Sequence, residues 1–484
     1  MTPRLTLILL ALSACGPKTS APVDFRASAP APLERSEFKL PTAQEAVLSN
    51  GLKVHYIQDA TVPMTRVNVA FRMGSHMDDA ETVGLAGATF DMLNEGVEGF
   101  DALAMSGEMK RLGASLSSSA GVDGSSVSLS SLTRNLDEAL GFLTKALMQP
   151  TFPASEWERI QKTYLQNLQQ ARTSPRSISS RVFTNAFYAG EYAGRLRSEA
   201  HIQALNVDAM RTWWSGHAVV ENAIVGAYGN LSLEEILPKL EAALGGLSSG
   251  SEVGTLEPTA IDLDQTEIRF VHKSGAAQSV IRMGRDLGVS YGDEAYWPAR
   301  VANGAFGGMF MARLNMNLRE DKGYTYGASS WTSQNYGDER WQLATSVRTD
   351  ATAASLFEIF KELADVGGDA PVRPLSAEEI AYAQGSSVQG YPAQFETAGT
   401  LLSKLSDVWI YGLPADAVEA YISNVESVEA EAAQAAFADL VANKPLLVVV
   451  VGDWDVVGES VTALGYPVVQ VDVDGQAIDT SSEE

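Results

Sequence analysis

The stretch at residues 307–330 reads GGMFMARLNMNLREDKGYTYGASS, and it decides how the rest of the sequence is interpreted. Its opening pair, Gly307-Gly308, lacks the Lys and the Ser/Thr of a nucleotide-binding Walker loop, and it therefore predicts close backbone packing ahead of a helix. Its end, Gly327-Ala328-Ser329, enters a strand as Gly113-Ala114-Ser115 does earlier in the chain. This recurrence indicates an internal repeat.

Two further pairs of segments support the repeat. Residues 71–74 (FRMG) recur as 281–284 (IRMG), and residues 223–230 (AIVGAYGN) recur as 446–453 (LLVVVVGD). Three markers in one order, offset by 210 to 223 residues, predict two homologous halves. We place these halves at residues 43–250 and 264–470, with a linker at 251–263 and an acidic tail at 471–484.

Composition limits the classes of partner. The 484 residues carry 45% hydrophobic and 20% charged side chains, which is typical of globular domains and excludes a disordered or polytopic membrane protein. The formal charge of −25 repels phosphate backbones, and the sequence contains no basic run. We therefore expect no nucleic-acid partner.

The N-terminus has the pattern of an export signal. Arg4 precedes the apolar run at residues 5–12, which is too short to span a bilayer, and the following LSACG resembles a bacterial lipobox ending at Cys15. Cys15 is the only cysteine, so an intrachain disulfide is impossible, and a free or core thiol fits poorly at this place. We expect residues 1–15 to be a lipoprotein signal peptide, with lipid on Cys15 and a Pro/Ala-rich tether at 16–42.

Acyl chains on Cys15 would hold the protein on a bacterial membrane. Because Gly16 is not an acidic retention signal, we expect the outer membrane, with the protein facing the periplasm.

Local signals predict a mixture of clustered helices and strands. Asn50-Gly51 between apolar runs predicts a hairpin with a type I′ turn, and residues 83–95 predict a helix. Thr133 and the pair Ser155-x-x-Glu158 predict the beginnings of two further helices. Helices and strands do not alternate strictly, so the pattern favours an α+β fold over a doubly wound sheet.

The sequence resembles the pitrilysin/insulinase family of zinc peptidases over residues 42–467. The resemblance rests on SNGLKV at Ser49, GLAGATFDMLNEG at Gly84, RLGASLSSSAG at Arg111, GAAQSVIRMG at Gly275 and, most specifically, the stretch at Gly307. It implies two homologous two-layer α+β half-domains of the LuxS/insulinase-like type that face each other across a clam-shell chamber.

The resemblance also shows what is missing. In active members the first helix carries His-x-x-Glu-His, in which two imidazoles hold zinc and the glutamate activates the bound water. Here these positions fall on Gly87, Phe90 and Asp91, and the third ligand, a glutamate of the later long helix, falls at about Gln166 or Asn167. We therefore expect no metal in this chain and no peptidase activity of the chain alone.

The alternative is that zinc is held elsewhere by unusual ligands in an unaided hydrolase. Candidate imidazoles belong to His55, His76, His201, His217 and His272, and no two of them have i, i+4 spacing. Signal-peptide processing at a lipobox leaves no free cysteine, and Asp91 alone cannot form a site.

The second half keeps its side of the active site. The resemblance implies that Arg319 and Tyr326, seven residues apart, bind the substrate backbone and stabilise charge on the scissile carbonyl, to which both side chains can donate hydrogen bonds. In the alternative interpretation Arg319 complements a helix C-terminus ahead of Gly323, and Tyr326 packs on a strand.

The Ser-rich segment at residues 112–120 corresponds to the strand with which an extended peptide pairs in the family. Such pairing needs only backbone groups and could survive the loss of catalysis. An ordinary polar edge strand is the alternative.

Two hypotheses of function follow. In the first, this chain is the non-catalytic subunit of a heterodimeric peptidase and lends Arg319 and Tyr326 to a zinc-bearing insulinase-like partner. In the second, it is a non-proteolytic peptide-binding or structural protein that uses the same chamber.

Overall fold

The computed structural model describes residues 38–189, 191–254, 259–335, 338–368 and 371–478, without the side chains of 334–339. The described residues from Leu40 onward belong to one compact unit. The predicted signal peptide, its lipobox cysteine and most of the tether lie outside the described residues.

Within those residues the strands are β1 Gln44–Val47, β2 Lys53–Gln58, β3 Met64–Phe71, β4 Gly96–Val97, β5 Phe100–Asp101, β6 Ser115–Ala120, β7 Ser125–Leu132, β8 Ala223–Gly229, β9 Glu267–His272, β10 Gln278–Asp286, β11 Thr325–Asn335, β12 Asp338–Arg348, β13 Leu447–Gly452 and β14 Val468–Val471.

The α-helices are α1 Leu85–Met92, α2 Ala102–Leu112, α3 Leu136–Met148, α4 Ala154–Ala171, α5 Pro175–Phe187, α6 Glu199–Ala204, α7 Val207–His217, α8 Leu233–Leu244, α9 Tyr296–Asn303, α10 Arg313–Asn315, α11 Thr352–Val366, α12 Ala377–Gly390, α13 Ala398–Tyr411, α14 Tyr421–Glu426, α15 Ala430–Phe437 and α16 Trp454–Thr462. Segments of π-helix cover Gly304–Gly308, Met316–Asp321 and Ala438–Ala442, and short 3₁₀ turns cover Ser75–Met77, Thr133–Asn135, Tyr192–Gly194, Val220–Asn222, Thr349–Ala351 and Pro392–Phe395.

Two six-stranded sheets have the same internal order, as the predicted duplication requires. The first runs β1-β2-β8-β3-β7-β6, and the second runs β14-β9-β13-β10-β12-β11. In both, the second and third strands are parallel and the third and fourth are antiparallel. Only the first edge strand differs, because β1 is antiparallel to β2 whereas β14 is parallel to β9.

Strand register corrects one of the repeat markers. The marker shared by β8 and β13 is in register, so Tyr228 corresponds to Val451. Tyr228 lies opposite Arg66 and Val451 lies opposite Val280, so the equivalent of Phe71 is Arg285. The likeness of FRMG and IRMG is therefore four residues out of register, although both segments belong to equivalent parts of the two sheets.

Each sheet packs one face on helices of its own half. The first core contains residues of α1, α3, α4, α7 and α8 beneath β2, β3, β7 and β8. The second contains residues of α9, α11, α12, α15 and α16 beneath β9, β10, β12 and β13. These are two-layer α+β halves.

The opposite face of each sheet is covered by a helix from the other half. Helix α5, which belongs to the first half, packs on β13 and β10 of the second sheet. Helix α13, which belongs to the second half, packs on β8 and β3 of the first sheet. The halves therefore exchange one helix each.

Strand β13 shows why the exchange is needed. Val448 and Val450 lie in the second core, whereas Val449 and Val451 lie in a separate cluster with Phe183 and other buried residues of α5. A strand that is apolar on both faces needs cover on both, and α5 supplies the second layer.

The contact of α13 with the first sheet is close and partly polar. The backbone of Gly226 in β8 lies against Leu402, where a Cβ atom on the glycine would be only 3.3 Å from the Cβ of the leucine. Arg72 donates from Nε to the carbonyl oxygen of Trp409 at 2.9 Å, and its guanidinium carbon lies 4.3 Å from the Trp409 ring centroid.

Several local predictions need correction. The hairpin at Asn50-Gly51 forms, but Gly51 has a φ of +91° and Asn50 does not have a positive φ, so the turn is not type I′. Helix α1 is shorter than the predicted 83–95. Thr133 lies in a 3₁₀ turn and donates to Asn230, and Ser155 lies inside α4 and makes no capping bond.

The predicted acidic tail also begins too early. Val471 is buried against α5, and Asp474 bonds to Arg172 and Arg181 at 2.6 and 3.0 Å. At least through Ile478 the chain belongs to the folded unit. Among the described residues no helix is both long enough and apolar enough to cross a membrane.

The exchange of helices between the halves predicts that removing a buried side chain from α5 destabilises the protein. Phe183 is fully buried, and replacing it by alanine leaves a cavity between α5 and the second sheet. We expect Phe183→Ala to lower the free energy of unfolding by about 3–5 kcal/mol, measured by denaturant unfolding. Phe357→Ala is the control because Phe357 is 56% exposed. Equal unfolding curves for both variants would contradict the structural role of α5.

Candidate functional site

The first candidate region is helix α1, which carries the zinc motif in active members of the family. Its N-terminal end is held by Asp78, whose carboxylate accepts the backbone N–H groups of Gly84 and Ala86 at 2.7 and 2.9 Å. Burial raises the pKa of Asp78 to about 6, and these two hydrogen bonds partly oppose the shift.

Phe90 occupies the position of the catalytic glutamate and lies wholly in the core. Its ring is fully buried and packs edge-on against Phe71, Trp213 and Trp214, with centroid distances of 6.3, 6.2 and 5.4 Å. Such edge-to-face pairs stabilise an apolar cluster. The side chain at this position packs the core and cannot activate water.

Gly87 and Asp91, at the expected histidine positions, both lie next to Tyr164. The Tyr164 hydroxyl donates to the Asp91 carboxylate at 2.5 Å, and a Cβ atom on Gly87 would lie 3.8 Å from the same hydroxyl. Tyr164 belongs to α4, the long helix that was expected to bring the third zinc ligand.

The expected third position is shifted along α4. Gln166 and Asn167 are both exposed, whereas Tyr164 is buried and faces Asp91. The sequence already contained the signal, because Ile160, Tyr164 and Leu168 form one helical face and all three are buried. The expectation at Gln166 or Asn167 came from the family resemblance and did not use this periodicity.

Arg197 adds a third side chain to the contact between Asp91 and Tyr164, and it was not predicted from the sequence. Its guanidinium carbon lies 4.2 Å from the centroid of the Tyr164 ring, a cation–π distance. Burial and the neighbouring Asp91 raise the pKa of the Tyr164 hydroxyl, so it stays protonated at neutral pH. A hydrogen-bonded tyrosine and an arginine thus lie beside Gly87 and Asp91, the positions at which the resemblance expects the two histidines.

The histidines are engaged in local structure. Nδ1 of His76 lies 2.8 Å from the carbonyl oxygen of Val122, His201 takes part in a capping box, and His217 contacts the Trp213 carbonyl at 2.7 Å.

One group of potential metal ligands lies in the second half. In the part of the chain that the structure describes, His272, Asp453 and Asp455 bring one ligand atom each to within 4.8 Å of one another. His272 Nδ1 already accepts the Trp454 N–H, and Asp455 is 79% exposed. This group is remote in sequence from α1 and α4, and it does not restore the family's zinc site.

The second candidate region is the stretch that opened the sequence analysis. Gly307 packs against β11, where a Cβ atom would come within 2.5 Å of the Ser330 hydroxyl, which confirms the predicted close packing. Asn303 fastens the same place, because its Oδ1 accepts hydrogen bonds from Ser330 at 2.6 Å and from Trp341 at 2.8 Å.

Two buried side chains fix the segment that carries the predicted arginine. Asn315 donates to the Phe310 carbonyl at 2.7 Å and accepts the Ala328 N–H at 3.1 Å, so it links the loop before α10 to β11. Arg313 forms a two-pronged ion pair with Glu379 at 2.9 and 2.6 Å, and its side chain is 2% exposed.

Arg319 lies in the π-helical segment Met316–Asp321 and is one-third exposed. Its guanidinium carbon is 4.5 Å from the Phe310 ring centroid, and its Nε is 3.5 Å from Glu320. Phe310 itself is 63% exposed. The Arg319 guanidinium therefore stacks on the exposed Phe310 ring, and some of its N–H groups remain open to solvent.

Tyr326 does not pack on its strand, so this part of the alternative interpretation is wrong. Between Thr325 and Ala328 strand β11 contains one residue more than β12, a β-bulge, and the Thr325 hydroxyl fixes the bulge by donating to Ser346 at 2.7 Å. Tyr326 is 93% exposed and lines a cavity of about 550 Å³ over β10, β11 and β12. Arg319 is not among the residues that line this cavity.

The Ser-rich segment forms β6, which is the edge strand of the first sheet. Ser118 donates to the Phe90 carbonyl at 2.6 Å and accepts from Asn94 at 2.7 Å, so the strand is tied to α1. The edge position is confirmed, and the pairing of a peptide with this edge stays a prediction.

Family profiles match both halves of the chain. The profile of the insulinase family, peptidase family M16, matches residues 53–199, and the profile of the peptidase M16 inactive domain matches residues 204–385. The chain belongs to peptidase family M16. At the positions where the sequence resemblance expects the zinc motif, α1 carries Gly87, Phe90 and Asp91, and Tyr164 of α4 faces Asp91.

Curated relatives agree with this assignment. A Helicobacter pylori protein named non-peptidase homolog YmxG is 22% identical over 385 residues, which cover 78% of this chain and 86% of that protein. An uncharacterized zinc protease YmxG of Bacillus subtilis is 20% identical and covers 59% of this chain and 68% of its own length.

Solved structures share the fold. A peptidase M16 inactive domain from Pseudomonas fluorescens superimposes with a TM-score of 0.76 at 21% identity and covers 85% of this chain and 98% of that one. A protease from Helicobacter pylori gives a TM-score of 0.75 at 14% identity, with coverage of 86% and 100%. The two homologous halves of the predicted clam-shell fold are thereby confirmed.

The packing of Phe90 and the contact between Asp91 and Tyr164 predict that substitutions on α1 alone do not restore a zinc site. We expect the triple variant Gly87→His, Phe90→Glu, Asp91→His to retain substoichiometric zinc, because α4 offers a tyrosine in place of a carboxylate. Burying a glutamate among aromatic rings should also cost several kcal/mol of stability, about 3 or more.

Zinc content by atomic spectroscopy and denaturant unfolding check this expectation. Gly87→His with Asp91→His is the control that leaves Phe90 in place, and it should lose less stability. Stoichiometric zinc in the triple variant would contradict our account of α4.

Proposed function

We propose that this chain is the non-catalytic subunit of a heterodimeric metallopeptidase. It would supply Arg319 and Tyr326 to a peptide substrate whose scissile bond is attacked by a water on the zinc of an insulinase-like partner. The isolated chain would have no peptidase activity.

The observation that carries the proposal is the contrast between the two halves. In the first half the zinc positions are filled by Phe90 in the core and by the Asp91–Tyr164 hydrogen bond. In the second half, buried polar anchors and a bulge hold a tyrosine at 93% exposure. An exposed aromatic ring does not stabilise the fold, so a position built to present one favours a role in binding.

The chemistry of this contribution is hydrogen-bond donation. A phenol and a guanidinium can donate to a carbonyl oxygen that gains negative charge during attack, and donors fixed before the reaction are the effective ones. The partner would bring zinc, which this chain's α1 and α4 cannot hold.

The second candidate is a non-proteolytic peptide-binding or structural protein of the same fold. The edge position of β6 favours it, since an extended peptide can pair with an edge strand without any catalytic group.

The two candidates differ in what the chain does with a zinc-bearing family member from the same bacterium. We expect the isolated chain to contain substoichiometric zinc and to cleave no peptide, and the co-purified complex to cleave. Arg319→Ala and Tyr326→Phe should each lower kcat of the complex by about 10²–10³, as the loss of an oxyanion donor does.

Arg348→Ala and Tyr382→Phe are matched controls, because both side chains are more than half exposed and neither belongs to the motif. Cleavage by the isolated, zinc-loaded chain would overturn the proposal. Full activity of the Arg319 and Tyr326 variants would overturn their roles, and a stable complex without cleavage would support the second candidate.

We also propose that lipid on Cys15 anchors the protein to a bacterial membrane. We expect this to be the outer membrane, with the protein facing the periplasm. The lipobox-like sequence supports this proposal. In cell fractionation the full chain should stay with membranes at high salt, and Cys15→Ser should release it to the soluble fraction. Equal membrane retention of both proteins would contradict the anchor.

A further inference from the structure

The cavity beside Tyr326 is built by both halves of the chain. Its walls come from β10, β11 and β12 of the second sheet and from Arg176, the second residue of α5, which the first half contributes. It lies on the sheet face opposite the second core, because Ile281 is in that core whereas its neighbours Val280 and Arg282 line the cavity.

The charged side chains that line the cavity are both arginines, in a protein whose formal charge is −25. Arg176 is exposed, and Arg282 is partly buried. Burial lowers the pKa of Arg282, and the positive charges of Arg176 and Arg340 lower it further. Among the described side chains, no carboxylate forms an ion pair with Arg176 or Arg282.

Arg282 is held so that part of its donor set is unused. Nη1 donates to Gln342 at 3.2 Å, and the guanidinium carbon lies 5.5 Å from the Trp331 ring centroid. Its Nε is buried and has no hydrogen-bond partner among the described residues. An unsatisfied buried donor of a charged group is costly, so the protein keeps this guanidinium on the cavity wall at the expense of stability.

The rest of the lining suits a small anionic group on an otherwise neutral ligand. Hydroxyls are provided by Tyr326, Ser329 and Ser346, and apolar surface is provided by Val280, Trp331 and Ala344. Arg176 also marks the N-terminal end of α5, a helix of 13 residues, whose dipole adds partial positive charge at this end.

We infer that this cavity binds the carboxylate of an extended peptide, between Arg176 and Arg282 and beside Tyr326. Guanidinium groups pair with carboxylates through charge-assisted hydrogen bonds. Strand β11 is a sheet edge, so a peptide that pairs with it would pass the cavity mouth and could place one side chain inside.

This inference deepens the proposed function, because it names acidic peptides as the substrate class, but binding can be measured without a partner or catalysis. The full chain would be titrated against fluorescent peptides that differ at one position, Glu or Gln, and each would carry either a free or an amidated C-terminus. These arms distinguish a side-chain carboxylate from a terminal one.

We expect the Glu peptide to bind at least about tenfold more tightly than its Gln counterpart, with the preference falling at high ionic strength. Arg282→Gln and Arg176→Gln should each remove most of this preference. Arg159→Gln is the control, because it removes the same charge from an exposed arginine of α4. Since Arg282 is partly buried, thermal unfolding of each variant shows that it is folded, and the exposed Arg176 gives an independent test.

Equal affinity for all four peptides, or an unchanged preference in both variants, would overturn the carboxylate site and leave the chamber as a peptide-binding surface under the proposed function. Tight binding of inorganic phosphate or ATP without an acidic-peptide preference would overturn it in favour of a phosphate site. Binding of no peptide at all by the chain would count against the inference and the second candidate function together.

Discussion

The structure depends on the covering of two central strands, β8 and β13, on both of their faces. Each has its own helices on one side and a helix from the other half on the second side, so neither sheet is complete in its own sequence. Burial of Phe183 on one side and of Leu402 on the other makes the two halves one folding unit. The duplicated sheets therefore stabilise each other by exchanging helices, and the face of the second sheet on which α5 rests also borders the cavity.

The two halves differ at the positions that the family resemblance assigns to its active site. On α1 the ligand positions were absorbed into the fold, since Phe90 fills the core and Asp91 satisfies the Tyr164 hydroxyl. In the second half, buried hydrogen bonds fix the loop before α10 and the edge strand β11. They are made by Asn303, Arg313 and Asn315. Retained polar anchoring around exposed side chains is what a binding surface requires, and it separates this half from the other.

Much of the fold could be predicted from sequence because its signals are local or repeated. The Gly307 packing follows from the Gly-Gly pair, and the two-half organisation follows from the recurrent segments. The contact of Tyr164 with Asp91 was not foreseen, because the expectation at Gln166 or Asn167 ignored the facing of α4: two residues turn a helix by about 200°, so Gln166 points away from the face that carries Tyr164. The cation on that tyrosine, Arg197, comes from a distant loop, and no periodic pattern could have placed it there. The slipped FRMG marker shows that a short likeness can identify the right strand and still give the wrong register.

The bulge at Thr325 has a consequence for association between molecules. A long regular edge strand invites pairing with another chain, whereas an extra residue near its beginning interrupts the ladder and turns the backbone. Strand β11 can therefore offer a limited run of free backbone groups and ends it at a tyrosine. The same irregularity that presents Tyr326 limits the length of strand that can be added at this edge, so it hinders two copies of the chain from joining their sheets edge to edge.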